Sequence, residues 1–445
     1  MSIPVVTVGQ SAGDCVTGLE KLRGPVTVVR RCAELTELIA ACQTGIARAA
    51  IVAVEAGELT ASLLDRLRGA EVALVVLADS DEATARLDSL GVRHAPGNVD
   101  PEVLTELVSA AVDDLAMPGS APAQVQGSAS FADTADALNP AQATPEPDPS
   151  LAGEGRVIAV WGPAGSPGRT TVAVNIAAEL AASGSSVLLI DADTYGASIA
   201  ASLGLLDESA GVAQACRFAD QGSLDLGTLQ RITTDVVIEG TRLRVLTGIT
   251  RPDRWAEVRP AALARVLELA RTVADTTIVD CGFCLEADEE LSFDTVAPRR
   301  NGATLRSLEL ADSVIAVGSA DSVGVPRMVR GLGDLAAAVP SAEPRVVFNK
   351  VRAGSVGRSP ERQLQEAWDR FGPGVEIDAF LPADVDAADA ALLAGSALVE
   401  SSPSSSLRQA IAALVDVPVE QRRRGVVGGG HNEVKFSRNG VRLSR

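Results

Sequence analysis

Short runs of contiguous aliphatic residues recur along this chain, and segments with apolar residues at helical spacing fall between most of them. Strands that are apolar throughout are buried on both faces, so helices have to cover them. In the first part of the chain, residues 4–8, 26–29, 50–54 and 72–77 read as strands, and 34–42, 60–67, 82–90 and 101–115 as helices. The pattern resumes with strands at 157–161, 186–190, 243–246, 276–279, 313–317 and 345–348, and with helices at 170–182, 261–274, 325–338 and 360–371. Alternation of this kind predicts an α/β class with mostly parallel sheets. The second series is long enough for a doubly wound sheet, whose ligand sits at the carboxyl ends of the strands.

The two series are separated by residues 117–153, rich in Pro, Ala, Ser, Gln and Gly and without an amphipathic period, which reads as a flexible linker. The expected organisation is therefore a domain over 1–116, the linker 117–153, a larger domain over 154–418 and a basic, flexible tail over 419–445. A formal charge of −19 disfavours general coating of nucleic acid or anionic lipid. Any membrane contact would fall to the tail, where Arg422, Arg423, Arg424, Lys435, Arg438, Arg442 and Arg445 outnumber Glu420 and Glu433. Gly428-Gly429-Gly430 breaks a helix there, and Asn439-Gly440 suits a hairpin turn. The amino-terminal residues lack a basic and then apolar leader pattern, and no run of about 18 apolar residues occurs, which predicts a cytoplasmic protein. Six cysteines are sparse for 445 residues and suit a reducing compartment.

The strand at 157–161 runs into Gly162-Pro163-Ala164-Gly165-Ser166-Pro167-Gly168 and then into a helical pattern opening with Arg169-Thr170-Thr171. A turn of backbone N–H groups leading into a helix is an anion site. This stretch, with residues 172–180 after it and Leu188-Leu189-Ile190-Asp191-Ala192-Asp193 beyond, resembles the ParA/MinD group of P-loop ATPases. Within that group it looks most like the CpaE-like (TadZ-like) proteins of pilus-assembly and secretion loci and their septum-site-determining relatives. Further landmarks follow in the family's order: Asp280 ending an apolar strand, the strand at 313–317, Phe348-Asn349-Lys350-Val351, and Leu381-Pro382-Ala383-Asp384.

The resemblance implies ATP and Mg²⁺ as ligands. Phosphate would be held by Gly165, Ser166, Gly168, Arg169, Thr170 and Thr171, and the base would lie near Asn349 and Pro382. The metal would be met by Thr170, Asp193 and Asp280, while Asp191 and Arg169 would carry any catalysis. The loop departs from the family's deviant Walker A form. Laid without gaps, Pro163 replaces the first glycine, Ala164 the signature lysine and Arg169 the phosphate lysine. Guanidinium is larger and geometrically more demanding than ammonium, and each proline deletes a backbone donor, so weak binding and slow turnover are expected. Lysine occurs only three times among the 39 basic residues, at Lys21, Lys350 and Lys435, so composition alone accounts for an arginine at 169 as readily.

Residues 1–115 resemble a response-regulator receiver in strand order. The positions where phosphorylation chemistry needs acids, a hydroxyl and a lysine hold Gly9, Gln10, Glu55, Ala78 and Gly97, which implies a pseudo-receiver used for docking or positioning. Cys281-Gly282-Phe283-Cys284 has no second cysteine pair to complete a metal site, and 285–304 reads as an inserted surface loop. By resemblance the chain would form a homodimer, meet a protein of the pilus, secretion or division machinery, and sit at a pole or septum through that partner. Two rivals stand beside it: a nucleotide-free adaptor on the same fold, and an active chromosome-partitioning ATPase. The acidic charge and the absent signature lysine disfavour the second.

Overall fold

The computed structural model describes residues 2–9, 17–19, 21–22, 24–53, 59–116, 155–205, 210–286 and 299–417. The expected linker and basic tail, Gln10, Glu55 and most of the expected insertion lie outside them.

Two separate sheets form. The first contains β1 (Ile3–Val8), β2 (Val26–Cys32), β3 (Ala49–Val52), β4 (Ala73–Leu77) and β5 (Arg93–Ala95). Its order is β2-β1-β3-β4-β5 with every pairing parallel, the doubly wound order of flavodoxin-like folds. Gly9, Ala78 and Gly97 do follow strands at the carboxyl edge, and none of the three carries an ionisable side chain.

The second sheet contains β6 (Arg156–Trp161), β7 (Val187–Ala192), β8 (Thr234–Ile238), β9 (Thr241–Leu246), β10 (Thr276–Cys281), β11 (Ser313–Ser319), β12 (Pro344–Val351) and β13 (Ile377–Pro382). Their order is β13-β12-β11-β6-β10-β7-β9-β8. Only the β8–β9 pair is antiparallel, closed by Glu239 at φ 46° and Gly240 at φ 86°. Two successive left-handed residues make the type I′ turn that matches strand twist. The other pairings are parallel, and β6 lies between β10 and β11 where the winding reverses. That reversal opens a crevice at the strands' carboxyl ends.

The core follows from alternation along β6. Val157, Ala159 and Trp161 enter one apolar layer and Ile158 and Val160 the other, all nearly inaccessible. Each fully buried large aliphatic side chain contributes about 1.5–3 kcal/mol relative to exposure. The helix Arg169–Ala182 lies in the second layer and ends in a Schellman motif, with Gly184 at φ 95°, Gly184 N donating to Ala181 O and Ser185 N to Leu180 O. Its two buried polar side chains are both satisfied from far along the chain. Asn175 Oδ1 accepts from Leu398 N at 2.7 Å, and Glu179 accepts Arg408 Nε at 2.6 Å and Nη2 at 3.2 Å. These bonds fix the helix that follows the glycine-rich loop.

The helices over the two sheets also meet. Asp220 Oδ1 accepts from Ser62 N at 2.9 Å and Ser62 Oγ at 2.6 Å, while its other oxygen accepts from Arg259. Ser89 Oγ donates to Gly222 O, Arg265 to Leu90 O, and Arg86 to Gln221 O. The front unit is thus seated by hydrogen bonds on the helices Gly211–Asp220 and Pro260–Val273.

One expectation is corrected here. Residues 301–304 are not surface loop: Gly302–Thr304 open the helix Gly302–Leu310, and Asn301 and Thr304 are buried. Tyr195 Oη donates to Asn301 Oδ1 and Arg300 stacks over the Tyr195 ring, so the return of the insertion is clasped to the segment after β7. Among the described residues, no helix is long and apolar enough to cross a membrane.

Trp161 is 1 % exposed, directly precedes the glycine-rich loop, and donates through Nε1 to Phe283 O. Trp161→Ala is expected to lower stability by about 3–5 kcal/mol, read as a reduced urea midpoint with an unchanged m-value.

Candidate functional site

The site lies where β6, β7, β10, β11, β12 and β13 end. After Trp161 the backbone turns through Gly165 at φ 116°, Ser166 at φ 53° and Gly168 at φ 97° into the helix Arg169–Ala182. Gly168 is required as well as tolerated: its φ is left-handed, and a Cβ there would lie 2.5 Å from Asn349 Nδ2. Ala164, Gly165 and Ser166 are exposed. Among the described residues, the backbone N–H groups of Gly165, Ser166, Gly168, Arg169, Thr170 and Thr171 find no acceptor. Six open donors at a helix N-terminus suit an anion.

Below the loop sit the acids that the strand ends supply. Thr170 Oγ1 donates to Asp280 Oδ2 at 2.5 Å, and Ser198 Oγ lies 3.1 Å from the same threonine oxygen. Asp280 Oδ1 is buried without a hydrogen-bond partner. Asp191 accepts from Ser198 N at 2.9 Å and Ile199 N at 3.0 Å. Asp193 accepts from Tyr195 N, Gly196 N and, at 3.1 Å, Arg169 Nη2. Burial, with the neighbouring Asp191 carboxylate next in weight, pushes Asp280 well above the ordinary carboxylate range. Burial likewise raises Asp191, and the nearby Asp193 adds to the effect. The crevice gathers more carboxyl groups than its protein groups can hold ionised together.

That surplus fits a hard cation. A threonine hydroxyl, an orphaned carboxylate oxygen and a second acid make an all-oxygen donor set of the kind Mg²⁺ takes. Among the described residues, no group of three His, Cys, Asp or Glu side chains could hold a metal by itself. Mg²⁺ commonly completes its shell with phosphate oxygens and water, so the arrangement suits a metal arriving with phosphate.

Arg169 is folded onto the protein. Its Nη1 donates to Gly162 O at 3.1 Å and its Nη2 pairs with Asp193. Asn349 is buried, donating to Pro167 O at 2.9 Å and accepting from Lys350 N at 2.8 Å, so its amide braces the loop. Pro382 ends β13 beside Val351. Lys350, to which the sequence reading gave no role, donates through Nζ to Ser166 O at 2.7 Å from a left-handed backbone at φ 63°. Its rarity was the available signal, since a lysine stands out in a chain that otherwise uses arginine. Ser198 was also missed, because a lone serine seven residues beyond Asp191 carries no pattern. Cys281 is buried, which raises its thiol and keeps it inert, and Cys284 is half-buried.

Residues 154–235 match a family model described as ParA, NUBPL iron-transfer P-loop NTPase. No curated protein matches the chain. Solved structures similar to it include the cell division ATPase MinD of Pyrococcus furiosus, at 19 % identity and TM-score 0.45, covering 58 % of this chain and 96 % of that one. The ParA family ATPase of Chlorobium tepidum TLS is 18 % identical with TM-score 0.48 over 58 % of this chain and 98 % of its own. The septum site-determining protein MinD of Pyrococcus horikoshii OT3, complexed with Mg-ADP, is 20 % identical with TM-score 0.46 over 59 % and 96 %. The family match spans the part of the chain that holds β6, the glycine-rich loop and β7.

Asp280→Asn removes buried charge repulsion at a position where one carboxylate oxygen has no partner. It is expected to raise the melting temperature of the ligand-free protein while abolishing the extra stabilisation given by MgATP, both read by calorimetry with and without MgATP.

Proposed function

We propose that the second sheet, a P-loop NTPase fold of ParA/MinD type, carries a weak, slowly turning ATP- and Mg²⁺-binding switch. The observation that carries this reading is the row of open amides from Gly165 to Thr171 set above Thr170 and a buried Asp280 with an unpartnered oxygen. In this reading the amides grip phosphate, Thr170 and Asp280 orient the cation with Asp193, and Asp191 stands where a water could be held. Bound Mg²⁺ would neutralise charge on phosphate and on the acids together. Arg169 has to leave Gly162 O and Asp193 to reach phosphate, so binding must break an ion pair that is 13 % and 6 % exposed on its two sides. That cost, with the missing lysine at 164, accounts for weak affinity and slow turnover.

The switch would act by population shift, nucleotide favouring one dimeric or partner-bound state and its loss favouring another. The resemblance to CpaE-like proteins supports a cytoplasmic role, polar or septal through a partner, in positioning pilus-assembly, secretion or septum machinery. The front unit, seated on the helices Gly211–Asp220 and Pro260–Val273, would serve as a pseudo-receiver arm for docking.

A nucleotide-free adaptor is the second reading, and one observation favours it. Both terminal nitrogens of Arg169 already have acceptors within the protein, though its buried Nε has none, and Lys350 Nζ is bonded to Ser166 O. Titration of the full chain with fluorescently labelled ATP and Mg²⁺ separates the two. Saturable binding is expected, and its absence at millimolar ATP leaves the adaptor. Arg169→Lys is expected to tighten binding roughly tenfold, because an ammonium is compact enough to leave Asp193 for phosphate, and to raise the rate of phosphate release. Unchanged affinity and rate would refute the account of the altered loop.

A further inference from the structure

Three cationic side chains border the glycine-rich loop, and they differ in what holds them. Arg169 is bonded to Gly162 O and Asp193, and Lys350 Nζ is bonded to Ser166 O. Arg327, on the helix Gly324–Ala338, is exposed, and its guanidinium enters no ion pair or hydrogen bond among the described residues. It nonetheless lies against the loop. A Cβ built on Gly165 would be 2.3 Å from Arg327 Nη1 and 3.4 Å from its Cζ, so the guanidinium rests on the backbone beside the open amides of Gly165 and Ser166.

A cavity of ≈ 270 Å³ separates the loop from the start of this helix, with Pro163, Ala164, Gly165, Asp321 and Arg327 in its wall. Sites that bury a whole ligand are commonly roughly 300–1,000 Å³, so this space suits a phosphate end better than a base. The acid in the wall does not compete for the arginine. Asp321 Oδ2 accepts from Ser319 Oγ at 2.6 Å, and Oδ1 accepts from Val323 N at 2.9 Å and Gly324 N at 2.7 Å. Ala164, where the family resemblance expects a lysine, lines the same cavity.

We infer that Arg327 supplies, from the same chain, the cationic contact to phosphate that position 164 lacks. A guanidinium presents paired donors that match phosphate oxygens, and this one has no internal acceptor to give up before it binds. Arg327 is thus the readily available cation at the loop, whereas Arg169 must first leave Asp193. The inference rests on the nucleotide-binding reading above.

The test titrates full-length protein with MgATP by calorimetry for the unsubstituted chain, Arg327→Ala, and Arg327→Ala combined with Ala164→Lys. Residues 164 and 327 are both exposed, so melting temperatures should agree across the set. Arg327→Ala is expected to weaken binding roughly tenfold or more, and Ala164→Lys to recover much of that loss by restoring a cation to the same cavity. Unsubstituted protein that binds while Arg327→Ala binds equally well overturns the role of Arg327 and leaves the nucleotide reading standing. A loss that Ala164→Lys does not recover also overturns it, since the effect then comes from packing and not charge. Failure of the unsubstituted chain to bind at millimolar MgATP overturns the nucleotide reading itself, and this inference with it.

Discussion

The 2.5 Å hydrogen bond from Thr170 to Asp280 ties the first turn of the helix after the glycine-rich loop to the central strand β10, and the site is arranged around it. It satisfies one oxygen of a fully buried carboxylate and leaves the other bare. Burying a charge with incomplete compensation is costly, and folds retain such groups where a ligand completes them. The apolar layers on both sheet faces, Trp161 among them, keep this acid out of water.

The loop above it has the complementary problem. Left-handed geometry at Gly165, Ser166 and Gly168 leaves backbone donors without acceptors, while Asn349 and Lys350 brace the loop through Pro167 O and Ser166 O. Donors without acceptors above and crowded, buried carboxyl groups below are what the proposed phosphate and metal site rests on. Cations are the scarce element. Arg169 is paired with Asp193, which makes the position of Arg327 beside Gly165 more consequential than its place on a surface helix would suggest.

Much of the fold was legible in the sequence because buried parallel strands are written as contiguous apolar runs. The runs at 157–161, 276–279 and 313–317 each became a central strand. The strands that went unread lie at sheet edges or are short. β8 has alternating exposure and β5 has three residues, so neither presents a continuous apolar signal. The residues 299–304 looked like polar loop because Arg299, Arg300 and Asn301 are charged or polar, yet Asn301 is buried and bonded to Tyr195 and to Glu286 O. A polar residue satisfied by a distant partner cannot be told in sequence from one satisfied by water.

The order of motifs along the chain was enough to determine a strand, a glycine-rich turn and a helix, and with them Thr170 in the first turn of that helix and Asp191, Asp193 and Asp280 at the ends of two strands. Those features follow from local sterics and apolar patterning, which act between near neighbours. Only the tertiary structure decided what each charge faces: Arg169 against Asp193, Lys350 on Ser166 O, Glu179 against Arg408, and Arg327 alone beside Gly165. Electrostatic partners are chosen by distance in space, and for Glu179 and Arg408 that means a separation of 229 residues in the chain. No local pattern encodes such a pairing.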